Sequence, residues 1–161
     1  VHARNAWLKG LSPKENREVP PLRYDVVRQL KTDFPHLTIA INGGLQTDAA
    51  VQEQLQHIDG VMVGREAYNN PWWLARWDAL YYGAPENTLT REDVEAAMVD
   101  YMAREAAAHG TPWASIARHM LGLRHGLAGS RRWRQVWSDH RLKDLPPHEV
   151  MALAHASPVV A

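Results

Sequence analysis

Two short runs combine glycine with residue types that bind anions. Asn42-Gly43-Gly44 and Gly64-Arg65 each close a short, apolar, β-rich stretch. In parallel α/β folds, ligands bind outside the carboxyl ends of the strands. Glycine there lets backbone N–H groups approach a phosphate closely, and the start of a following helix adds its dipole. Arg65 brings a planar guanidinium suited to a bidentate, charge-assisted contact. One Gly-Gly turn has a plainer reading, a tight βα connection beside a surface arginine. Two such turns at one sheet edge, with an arginine, favour phosphate. His2 ends what reads as another strand and can donate to the same group, although a lone histidine is more often structural. His57, His109, His119, His125 and His140 show no metal-ligand spacing.

Charge marks a second candidate. From Arg118 to Lys143 stand seven basic residues and one acid, Asp139, a local balance of +6. The whole chain has 18 Lys+Arg and 18 Asp+Glu, so the rest carries −6. Such asymmetry suits a polyanionic partner; on charge alone a solvated helical face explains it equally well. Aromatic spacing favours the first. Trp133, Val136, Trp137 and His140 share one helical face, and Arg131, Arg134 and Arg141 lie on another. Tryptophans anchor such a helix and free its arginines for phosphates, and RNA is read largely by shape and backbone.

The elements that position these residues change character along the chain. Residues 10–21 are polar and end in Pro20-Pro21, an ordered loop. Leu22, Val26, Val27 and Leu30 predict a helix that stops before Pro35. Leu37–Ile41 and Gly60–Gly64 predict two buried parallel strands, joined by a helix over Asp48–His57. Residues 1 to about 70 thus read βαβ. Beyond Asn70-Pro71 the chain is helical. Trp72, Trp73 and Trp77 crowd a short aromatic helix that seals a core or a seam. Thr90 with Asp93 predicts a capping box, followed by an apolar stripe of Val94, Ala97, Met98, Tyr101 and Met102 up to Gly110. Thr111-Pro112 starts a helix running to about Gly122, Ser130 caps the next, and Pro146-Pro147 opens the last.

Composition bounds the alternatives. With 161 residues, 45% apolar and 22% charged, the chain is globular in character. No window approaches the ~20 apolar residues of a membrane helix, and no signal-peptide pattern is legible. Zero Cys excludes disulfides, Cys-ligated zinc and a thiol nucleophile within these residues.

Several runs in order resemble one family. His2-Ala3-Arg4, Gly10-Leu11-Ser12-Pro13-Lys14-Glu15-Asn16-Arg17, Pro20-Pro21-Leu22, Ile41-Asn42-Gly43-Gly44 and Asp59-Gly60-Val61-Met62-Val63-Gly64-Arg65 look like tRNA-dihydrouridine synthases. Arg118-His119-Met120-Leu121-Gly122-Leu123 and Arg132-Trp133-Arg134 are similar to the A-type subfamily. The resemblance implies an α/β fold: the C-terminal part of a (β/α)8 TIM barrel over residues 1–83, then an all-α helical tRNA-binding domain over 84–161. It implies FMN as cofactor, NADPH as reductant, and reduction of a D-loop uridine near position 20/20a to 5,6-dihydrouridine. His2, Asn42, Gly43, Gly44, Gly64 and Arg65 would hold FMN, the last two clasping its phosphate. Asn16, Arg17, Arg131 and Arg134 would face tRNA. A cytoplasmic enzyme, monomeric at full length, without metal or membrane, is the corresponding expectation.

The departure from the family pattern is the missing cysteine. The family's catalytic acid is a Cys in the first half of the barrel, where further flavin-binding residues also lie. Only about three of eight strands are legible here, so a C-terminal fragment, inactive alone, is expected. Two other readings stay open: a non-catalytic RNA-binding helical module over residues 90–156, and a different FMN barrel oxidoreductase.

Overall fold

The computed structural model describes residues 1–156. The chain divides into two compact units, Val1–Glu66 and the residues from Ala67 onward. The sequence places a division at 83. Within the second unit the stretch from Ala67 touches the helices: Trp72 packs on the helical core, and Gly122 lies against the Asn69 carbonyl, where a Cβ would have no room.

The first unit is βαβ, as the hydrophobic pattern predicts. Helix α1 (Tyr24–Asp33) precedes strand β1 (Ala40–Asn42), α2 (Asp48–Leu55) crosses over, and β2 (Gly60–Met62) pairs parallel with β1. Residues 1–3 run along the other side of β1, with Ala3 N–H donating to Asn42 O at 2.7 Å and Asn42 N–H to Val1 O at 2.9 Å. Register pairs Ala40 with Gly60 and Asn42 with Met62, so residue 2, β1 and β2 end at one edge. Ile41, Val51 and Val27 are the most deeply buried apolar residues of this unit.

Both strands are shorter than expected. Before Ala40 a side chain takes over half of the pairing: Asp59 N–H still bonds Ile39 O at 3.1 Å, but Ile39 N–H donates to Asp59 Oδ2 at 2.8 Å, and Lys31 Nζ pairs with that oxygen at 2.8 Å. The last two contacts hold the Asp59 carboxyl below its usual range, the Ile39 N–H contributing most. Nor is β2 buried. It has β1 on one side, and Met62 is 57% exposed.

The second unit is helical. A 3-10 turn (Pro71–Arg76) leads into α4 (Trp77–Tyr82), then α5 (Arg91–His109), α6 (Trp113–Ala117), α7 (Ser130–Trp137) and α8 (Pro147–His155). Trp73, Trp77 and Tyr81 stack edge to face at 5.0 and 5.2 Å, half-buried rather than central. The capping box at Thr90/Asp93 forms, and Gly110 closes α5 at φ +67°.

The stripe on α5 is rotated from its expected position. Its buried face is Glu95, Val99 and Met102, while Tyr101 is 40% exposed. An apolar count passes over Glu95, yet this carboxylate is 1% exposed among Val99, Met102, Trp133 and Trp137. Its Oε1 accepts Nε1–H from Trp133 at 2.7 Å and Trp137 at 2.9 Å, and its Oε2 lies 2.8 Å from His155 Nε2. One side chain thereby ties α5, α7 and α8. A buried charge is tolerated only when paired in this way.

Two further expectations change. Helix α6 ends at Ala117 instead of near Gly122, because i→i−3 bonds tighten the chain into turns through Leu123. Ser130 does not cap α7. The capping position is Gly129 at φ +77°, no side chain caps the helix, and Ser130 N–H bonds Leu127 O.

Candidate functional site

At the shared strand edge a network fixes the first candidate residues. Asn42 Nδ2–H donates to Met62 O at 3.0 Å, so the amide oxygen faces His2, whose Nδ1–H donates to it at 2.6 Å. His2 is thus a clamp between strand ends, with its Nε2 left for other contacts. Tyr24 Oη–H donates to the Gly43 carbonyl at 2.8 Å, and partial burial raises its phenol pKa. Gly43 and Gly44 need their glycines. Their φ values are +124° and +68°, and a Cβ on Gly44 would stand 2.5 Å from Leu22 Cδ1. Gly64 is different: a Cβ there would meet nothing within 4 Å.

These residues surround one cleft of about 220 Å³, lined by His2, Asn42, Gly43, Gly44, Gly64 and Arg65, with Arg17 on its wall. All six sequence candidates for anion binding therefore meet at a single site. The helix dipole invoked from sequence contributes little. Helix α3 (Arg65–Asn69) is five residues long, too short to build a macrodipole, which leaves the guanidinium and backbone N–H groups as the candidate anion-binding features. Arg65 is held from one side: Nη1 donates to Glu18 Oε1 at 2.9 Å and Nη2 to Arg17 O at 3.1 Å.

Asn16 does not line this cleft. Its amide donates to Trp7 O at 3.0 Å and accepts Trp7 N–H at 2.7 Å, closing the loop that carries Arg17 and Glu18. Arg4, given no role from sequence, also serves that loop, donating to the carbonyls of Glu18 and Pro20.

Arg131 and Arg134 stand exposed on α7, opposite the buried Trp133 and Trp137. The local charge excess is smaller than the linear count implies. Arg124 pairs with Glu92 at 2.6 Å, an acid 32 residues away and outside that count, while Asp139, already counted, is chelated by Arg141 at 2.7 Å. Both carboxylates titrate below their usual range through these bonds, Asp139 at about 2. Arg118 Nε–H donates to His119 Nε2 at 3.1 Å, and His119 Nδ1 meets Tyr68 Oη at 2.9 Å. Among the described residues no group of three or more His, Asp or Glu is arranged to hold a metal ion, and no helix is long and apolar enough to cross a membrane.

The pattern of the dihydrouridine synthase (Dus) family matches residues 1–156, spanning both the cleft and α7. The chain belongs to the dihydrouridine synthase family. Among its relatives, the tRNA-dihydrouridine(20/20a) synthase of Shewanella oneidensis is 50% identical over 157 residues, 98% of this chain and 47% of that protein. The proteins of that name from Escherichia coli K12 and Vibrio cholerae are 49% and 47% identical, over 100% and 97% of this chain and 46% and 47% of their own lengths. This dihydrouridine synthase chain therefore spans about half the length of the curated relatives it matches. The glycines and Arg65 that line the cleft are legible in the sequence, whereas Tyr24, Glu18 and Glu95 are not. Tyr24 and Glu95 sit in helical patterns read only for apolar spacing, and Glu18 pairs with a residue 47 positions away.

Proposed function

We propose that the protein is an FMN-dependent tRNA-dihydrouridine synthase that reduces a D-loop uridine near position 20/20a at the expense of NADPH. In this reading the first unit and the segment to residue 83 belong to a (β/α)8 barrel. Residues 84–161 form the tRNA-binding helical domain, and the protein works in the cytoplasm. The supporting observation is the cleft at the strand ends. Gly64 has ordinary backbone geometry and open space where a side chain would be, so the fold itself does not demand glycine there. A phosphate does, because backbone N–H groups can meet it only where no Cβ intervenes.

The residues present fit such a group. Gly43, Gly44 and Gly64 present backbone, Arg65 offers N–H bonds beyond the two already used, and His2 keeps Nε2 available. When bound, FMN supplies the hydride that adds to the uridine 5,6 double bond. The His2–Asn42–Met62 clamp holds the strand ends in register, and Tyr24 fixes the Gly43 peptide. The proton donor, a Cys by family resemblance, comes from outside these 161 residues. Arg131, Arg134 and Arg17 meet the tRNA backbone, and Asn16 shapes the loop that presents Arg17.

Arg65→Ala tests the reading. FMN affinity, followed by flavin fluorescence in the intact protein, is expected to fall at least tenfold, the scale of a lost charge-assisted contact of about 1.5–3 kcal/mol. Unchanged flavin retention overturns the phosphate assignment. For tRNA, Arg131→Ala and Arg134→Ala should each reduce the slope of log affinity against log salt by about 1. A slope equal to the parent's removes them from the interface.

A further inference from the structure

We propose that Glu18 is a positioning residue for the anion-binding guanidinium of Arg65, and that through it the loop closed by Asn16 is coupled to the occupant of the cleft. This rests on the flavin-phosphate reading of the cleft and adds to it a residue that touches no ligand. Arg65 lines the cleft and Glu18 does not. The Glu18 carboxylate therefore grips Nη1 from behind, at 2.9 Å, while the Arg17 carbonyl takes Nη2 at 3.1 Å. A guanidinium carries five N–H groups, so these two bonds leave three for a phosphate. They also fix the plane in which those three lie.

Without them the side chain is free to sample many rotamers. The Arg65 and Glu18 side chains are 58% and 50% exposed, so neighbouring packing does not hold the guanidinium. Ordering a long arginine on binding costs affinity, and an arginine already ordered avoids most of that cost. The coupling runs through the backbone as well. Glu18 N–H bonds Glu15 O at 2.9 Å, Arg17 N–H bonds Lys14 O at 3.0 Å, and Asn16 fastens the same turn to Trp7. A ligand that tightens Arg65 therefore tightens the segment carrying Arg17, and by reciprocity a partner held by that segment tightens the cleft's grip on its ligand.

Glu18 also carries a negative charge near the expected phosphate. A residue that served only to neutralise Arg65 would weaken phosphate binding, so its removal would tighten it. Positioning predicts the opposite sign. The test compares FMN with riboflavin, which shares the ring but lacks the phosphate, on the intact protein carrying Glu18→Ala, Glu18→Gln, Arg65→Ala or Glu18→Ala with Arg65→Ala. The Kd for FMN should rise about three- to fivefold in Glu18→Ala, the upper range for an exposed ion pair. It should return most of the way in Glu18→Gln, whose amide oxygen still accepts from Nη1. Riboflavin binding should stay at the parent value, and Glu18→Ala should add nothing in the Arg65→Ala background.

FMN binding equal to or tighter than the parent in Glu18→Ala overturns the proposal. So does an equal loss for riboflavin, which would mark general damage to the cleft, or an additive double variant. If the parent protein binds FMN no better than riboflavin, the phosphate reading itself fails, a result separate from any effect of Glu18.

Discussion

Replacing Glu95 should unfold the helical unit at markedly milder conditions, by an amount that depends on which atoms remain. In Glu95→Ala the indole N–H groups of Trp133 and Trp137 lose their shared acceptor, both in rings 1–2% exposed. Each stranded buried donor costs about 1–3 kcal/mol. His155 loses its partner too, and a cavity opens on α5. Relief from burying a carboxylate offsets part of this, and removing one member of a buried charged cluster costs about 3–5 kcal/mol in net. That is the loss expected for Glu95→Ala. Glu95→Gln keeps an oxygen for both indoles, loses charge assistance and turns an amide nitrogen instead of an oxygen toward His155, so about 1–2 kcal/mol is expected. At roughly 4–8 °C per kcal/mol for a unit of this size, the alanine variant should melt more than about 12 °C lower. Urea and thermal unfolding followed by far-ultraviolet circular dichroism in the intact protein would measure both. Equal losses in the alanine and glutamine variants, or losses within about 0.5 kcal/mol of the parent in both, would mean that the Glu95 hydrogen bonds do not hold the unit together.

The glycines should separate into two classes. Gly44→Ala should lower stability by about 1–3 kcal/mol in denaturant titrations, from its left-handed φ and the closeness of Leu22. Gly64→Ala should leave the unfolding midpoint unchanged while weakening FMN binding severalfold, since its space is open in the fold alone. Gly122→Ala should destabilise the helical unit by about 1–3 kcal/mol, a Cβ there pressing on the Asn69 peptide. Asp139 should titrate near pH 2 by NMR and return toward the ordinary aspartate range in Arg141→Ala. Its folded value is depressed, so the stability it contributes is present above the unfolded value and disappears as pH falls toward 2.

Much of the fold was legible because period and punctuation agree. The β-rich runs ending in glycine, the proline after α1 and the Thr90/Asp93 pair are local signals, and each produced its element. The cleft was legible for the same reason, since parallel strands bring their carboxyl ends to one edge whatever lies between them. What escaped depends on distance in sequence. Hydrophobic spacing cannot show that Glu95 is the buried residue on α5, because its partners lie 38 to 60 positions onward. Ser130 looked like a cap by residue type, but Gly129 reaches the left-handed region and starts the helix one residue earlier. Charge counting along the chain missed Glu92, which neutralises Arg124 only after folding.

The distribution of tryptophan gives this chain a built-in optical division. Six of its seven indoles fall in the unit from Ala67 onward, and Trp7 alone stands in the first. Trp113, Trp133 and Trp137 are nearly dark to solvent, whereas Trp7 is 47% exposed in the loop gripped by Asn16. Within these 161 residues, emission excited at the indole band therefore reports almost wholly on the helices. A Trp7→Phe partner makes that channel exclusive, and the difference spectrum between the two proteins isolates the loop beside Arg65.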